Sequence, residues 1–116
     1  MVILPIVSIL KVSSTAALCI LVASCASSPS SPSIKSDAPD RAIPAIKSET
    51  AAGNKKAIPY LVHDLESTDA AERMYAIDGL RRLTGQDFGY VYYEETDQRQ
   101  PAVDQWKHWL AEHPSP

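Results

Sequence analysis

The chain has 116 residues, 45% of them hydrophobic, and its 11 basic and 14 acidic side chains leave a formal charge of −3. That length gives one small domain. The acidic balance excludes nucleic-acid binding, which needs clustered Lys and Arg; the basic pairs Lys55–Lys56 and Arg81–Arg82 read as helix-surface charges.

Lys11 is the single charge in residues 1–24, and Val12 to Ser24 form a run of apolar and then small residues behind it. A positive start, a short apolar segment and small residues at a cut are the anatomy of a secretion signal. The run ends in Val22-Ala23-Ser24-Cys25, which resembles the lipobox of bacterial lipoproteins. Cys19 does not fit that pattern, because Leu18 stands where a small residue is required. The resemblance implies cleavage before Cys25, a diacylglyceryl group on its sulfur and an acyl chain on the new N-terminus, enough for stable anchoring. Ala26, rather than Asp, after the cysteine implies the periplasmic side of the outer membrane. Loss of Lys11 takes the charge from −3 to −4 and leaves Cys25 without a second thiol, so no internal disulfide forms. Residues 2–10 are apolar and precede the charge, so an uncleaved membrane helix over residues 2–24 and an ordinary signal peptide remain alternatives. Pro5 and Lys11 count against the membrane helix. All three readings put the rest of the chain outside the cytoplasm or on a membrane.

Residues 25–53 are rich in Ser, Pro and Ala, through Pro29, Pro32, Pro39, Pro44 and Gly53. Such a composition offers little apolar surface against the entropy of ordering, and it predicts a disordered tether. Residues 54–116 form the expected folded domain. Ile58, Leu61, Val62 and Leu65 recur at helical spacing, with Pro59 tolerable in a first turn. Asp69 is placed as an N-cap, with Glu72 three residues on in a capping box. The second helix carries Ala70, Met74, Ile77, Leu80 and Leu83 on its inner face and ends in Arg81, Arg82 and the αL terminator Gly85. Gly79, unfavourable in a helix interior, points to a close helix approach.

Ile58-Pro-Tyr-Leu-Val-His-Asp-Leu65 followed by Asp69, Arg73, Ala76, Ile77, Leu80 and Leu83 resembles one HEAT repeat over about 30 residues. Glu72 departs from that pattern, standing where Val is usual. The stretch Leu83 to Tyr90, running on to Trp106 and Trp109, resembles the aromatic loop and Trp-bearing helix that follow the last hairpin in some bacterial repeat proteins. The resulting fold class is all-α: a HEAT-like αα-hairpin plus a C-terminal helix from about Pro101 to Glu112, with Val103, Trp106, Trp109 and Leu110 as its stripe.

No nucleophile motif, phosphate loop or Cys/His metal signature appears. His63, His108 and His113 lack ligand spacing, and Asp87, Glu94, Glu95 and Asp97 read as a solvated acidic loop. The expectation is therefore a non-catalytic protein with no cofactor beyond the lipid on Cys25 and no small-molecule substrate. A single repeat does not fully bury its apolar faces, so a membrane-anchored interaction or scaffold module with a protein partner fits best. The alternative is a cell-wall or glycan-binding accessory using the aromatic cluster. Tyr90, Tyr92, Trp106 and Trp109 are the candidate interaction surface in either case, although rings in so small a domain also serve as core.

Overall fold

The computed structural model describes residues 31–114, so the signal segment 1–24 and Cys25 lie outside the described residues. In chain order come α1 (Pro39–Ala51), a 3-10 turn (Lys55–Ala57), α2 (Ile58–Asp64), α3 (Ala70–Thr84) and α4 (Thr96–Glu112). No strand occurs among the described residues, and the fold is all-α.

The central hairpin follows its local signals. Ile58, Leu61, Val62 and Leu65 are all buried, with Pro59 in the first turn of α2. The Asp69 carboxylate accepts the Glu72 N–H at 2.8 Å and starts α3. Gly85 ends it at φ 79°, donating its N–H to the Arg81 carbonyl at 2.8 Å. The capping box closes differently from expectation. The Asp69 N–H donates to the Ser67 hydroxyl at 3.1 Å, and the Glu72 side chain is buried instead of reaching back.

The expected tether is corrected over its second half. Residues 39–51 form α1, which packs on α3 and buries Ala42, Ala45 and Ile46. Pro39 opens the helix at N1, where its missing N–H costs nothing. A helix whose buried face is two alanines and one isoleucine has a weak apolar signal. Its docking depends on a partner surface that lets backbones approach. Gly79 supplies that surface: a Cβ there would lie 2.6 Å from Thr50 Oγ1 of α1 and 3.1 Å from Leu61 Cδ1 of α2. Because α3 is covered by both α1 and α2, its buried face runs through Glu72, Arg73, Ala76, Ile77, Gly79 and Leu80, while Ala70 is exposed.

The last helix begins at Thr96, five residues before the expected start at Pro101. Arg99 secures the extra turn, donating from Nε to the Glu94 carbonyl at 2.8 Å and from Nη2 to Thr96 Oγ1 at 3.0 Å. Pro101 is exposed inside the helix, where its missing N–H forgoes the backbone bond to the Asp97 carbonyl. Ala102, Val103 and Trp106 face the core.

Gly79→Ala tests the docking of α1. On an open helix face the change would stabilise by up to about 1 kcal/mol through helix propensity. Crowded by Thr50 and Leu61, it is expected to destabilise by about 1 kcal/mol or more, read as a lower denaturant midpoint with unchanged slope.

Candidate functional site

The four rings expected to form a surface divide between core and rim. Tyr90 and Trp106 are 1% and 0% exposed, so both belong to the core, and the expectation that they form an interaction surface is corrected. Tyr90 is held by its hydroxyl, which donates to the Leu65 carbonyl at 2.6 Å; burial raises its pKa above the usual phenol value. The Trp106 ring meets Phe88 edge-on at 4.8 Å and Trp109 at 5.7 Å. The loop brings Phe88 inward by a positive φ of 52° at that residue, between Asp87 and Gly89. Asp87 fixes this bend by accepting the Gly89 N–H at 2.8 Å, a bond that holds its carboxyl below the ordinary range.

Tyr92 and Trp109 remain half-buried, and Tyr93, not among the expected four, is 73% exposed. Tyr92 packs edge-on against Tyr93 at 5.2 Å. Trp109 is the more distinctive. Its ring stacks on His113 at 4.1 Å and 11°, while the His113 Nδ1 lies 2.8 Å from the Trp109 carbonyl. One cleft beside it, of about 310 Å³, runs between the ends of α2, α3 and α4, with Ile58, Pro59, Leu83 and Leu110 in its walls. A second, of about 400 Å³, lies on the other side among Phe88, Asp104, His108 and Glu112. Trp109 lines both and forms the ridge between them.

Two further groups of residues were not singled out as sites by the sequence. Arg73 and Arg99, 9% and 8% exposed, line a polar cleft of about 510 Å³. Their guanidiniums are directed to backbone carbonyls: Arg73 to Tyr92 and Ser67 at 2.9 and 2.7 Å, Arg99 to Leu65 at 3.2 Å as well as Glu94. They act as clamps between the hairpin turn, the aromatic loop and α4. Asp64 and Glu72, 2% and 1% exposed, lie against one another under the same turn. Burial, then the neighbouring Glu72 charge, pushes Asp64 up to about 7. Burial also raises Glu72, opposed by a hydrogen bond from Ser67. The acidic loop does not assemble: among the described residues, no three His, Cys, Asp or Glu side chains converge as a metal site.

The division of the tryptophans is testable by substitution. Trp106→Ala is expected to cost about 3–5 kcal/mol, whereas Trp109→Ala leaves the melting temperature within a few degrees. Tyr90→Phe, which removes one of two donors to the Leu65 carbonyl, is expected to cost about 1 kcal/mol. Thermal melts of the three variants check all three values.

No protein-family model matches the chain, and neither a curated protein nor a solved structure matches it.

Proposed function

We propose that the protein is a membrane-anchored lipoprotein whose small helical domain is a non-catalytic protein-interaction module. The observation that carries the interaction reading is Trp109, held half-exposed as a ridge between two clefts. Large aromatics in such positions anchor interfaces out of proportion to their number. The first cleft is walled by Ile58, Pro59, Leu83 and Leu110 together with Lys55, Thr84 and His113, while the second sets the rings of Phe88 and Trp109 beside the carboxylates of Asp104 and Glu112. Those linings suit a partner segment that places an apolar side chain in each cleft and a basic group beside the carboxylates of the second. The glycan alternative loses Tyr90 and Trp106, because a buried ring cannot stack on a sugar.

The anchoring reading rests on the apolar run behind Lys11 and on Val22-Ala23-Ser24-Cys25 at its end. No helix among the described residues is long and apolar enough to cross a membrane. Under this reading the domain stays close to the bilayer. Ser31 already contacts the folded part, its carbonyl accepting Arg41 Nε at 3.3 Å. From Cys25 to Ser31 the chain reaches at most about 20 Å even when fully extended.

The test is crosslinking and co-purification from membranes with the full chain, Cys25→Ala and Trp109→Ala. The native protein is expected in the membrane fraction with one specific partner, and Cys25→Ala is expected to leave that fraction. Trp109→Ala is expected to stay on the membrane, keep its fold and lose the partner. Equal capture by native protein and Trp109→Ala removes the ridge as an interaction site; unchanged membrane partition of Cys25→Ala removes the lipid anchor.

A further inference from the structure

We propose that Asp64 and Glu72 form a proton-binding site beneath the α2–α3 turn, and that the turn loosens when the proton leaves. This inference is independent of the anchoring and interaction readings. Its basis is geometric. Asp64 is the last residue of α2 and Glu72 lies in the first turn of α3, so the hairpin brings both carboxyl groups into one buried space. Asp64 Oδ2 and Glu72 Oε2 are both buried and accept no hydrogen bond among the described residues. Two oxygens of two adjacent carboxyl groups are satisfied together by a single proton, with the O–H of one acid donating to the carboxylate of the other. Without it, two negative charges share a desolvated site, which disfavours the double-charged form. The pair titrates as a unit, so the proton belongs to both.

The surroundings add little positive charge. Asp37, from the segment before α1, and the N-cap Asp69 add negative charge around the pair. His63 on α2 opposes them, but it is 3.3 Å from Asp37 and largely exposed. Glu66 in the turn is engaged by Lys107 of α4 at 3.1 Å. A cleft of about 270 Å³, lined by Asp37, His63, Ser67 and both carboxyl residues, connects the pair to solvent. The neighbouring carbonyls of Leu65 and Ser67 are the ones that Tyr90, Arg99 and Arg73 grip. Loss of the proton therefore strains the point where the hairpin, the aromatic loop and α4 are joined.

Asp64 and Glu72 both have raised folded-state pKa values, so the folded chain holds more protons than the unfolded chain between them. Stability is then fullest below the ordinary carboxyl pKa of about 4 and falls as pH rises toward about 7. Thermal melts of the full chain between about pH 5 and about pH 8 are expected to lose on the order of 10 °C. Asp64→Asn and Glu72→Gln each put an amide N–H where the proton was, and both are expected to flatten that dependence. His63→Gln, which removes the exposed pair with Asp37, is expected to keep it. Carbon NMR of the Asp64 carboxyl in the native chain decides the matter if the variants fail to fold, with a midpoint near neutrality expected. Titration at the ordinary value of about 4 overturns the proposal, as does a native-like pH slope in both amide variants. Stabilisation of the native chain by calcium at about pH 8, absent in Asp64→Asn, also overturns it, by assigning the site to a cation.

Discussion

The structure depends on satisfying the buried end of a very short helix. α2 has seven residues. Its last carbonyls, of Val62, His63 and Asp64, take the N–H groups of Leu65, Glu66 and Ser67, which leaves the carbonyls of Leu65 and Ser67 in the turn that follows without a backbone donor. In water this is harmless. Here the turn after α2 is pressed against α4 and the aromatic loop, and Leu65 is fully buried. Leu65's carbonyl takes Tyr90 and Arg99, residues 25 and 34 positions away in sequence, and Ser67's carbonyl takes Arg73. An unmet buried carbonyl costs roughly 1–3 kcal/mol, comparable with a sizeable part of the stability of a small domain. The arginines are thereby committed to the backbone. Among the described residues neither has a carboxylate within bridging distance, and four carbonyls and one hydroxyl surround the two guanidiniums instead.

That clamp also determines what the aromatic residues do. Once Tyr90 is fixed to Leu65, the loop from Gly85 to Glu95 folds inward and places Phe88 against Trp106. A domain this small has little aliphatic core to spare. The core runs instead through Ile46, Leu61, Leu65, Ile77, Leu80, Tyr90 and Trp106, drawn from all four helices and the loop. Trp109, three residues after Trp106, is turned toward the edge of that core and ends half-exposed between two clefts. The same stretch of chain thus supplies a core ring and a surface ring, separated by less than one helical turn.

Much of the hairpin was legible because its signals are local. Asp69 and Gly85 act on backbone groups within four residues of themselves, and the spacing of Ile58, Leu61, Val62 and Leu65 needs no knowledge of the partner. α1 was hidden because its docking is not local: Ala42, Ala45 and Ile46 become a helix face once Gly79, some 30 residues away, offers a surface without a side chain. Pro44 and Pro101 obscured the helices further. Each lies at the sixth helical position, where a breaker rule reads a boundary but only one backbone bond is lost. Glu72 was misleading in a different way. Its position fits a local capping box, yet tertiary burial draws its carboxyl against Asp64 and leaves Ser67 to accept the Asp69 N–H. The departure from Val at this position, visible in the sequence as an oddity in the HEAT-like pattern, is what creates the buried carboxyl pair.

Recognising α1 as part of the fold also changes what a lipid on Cys25 would do. A tether reaching to residue 53 would have let the domain range over many nanometres and meet partners far from the bilayer. With Ser31 already bonded to Arg41, and Ser33 donating its N–H to the Arg41 carbonyl at 3.0 Å, only residues 26–30 separate Cys25 from the described residues. Fully extended, that stretch of chain reaches about 20 Å. An anchored domain on so short a lead has a high effective concentration toward surfaces beside the membrane and almost none toward distant ones. The proposed partner therefore has to present its segment at the headgroup level, as another envelope protein with a membrane-proximal portion would. On the proposed reading, specificity would come from the Trp109 ridge and proximity from Cys25, each acting on a different step of recognition.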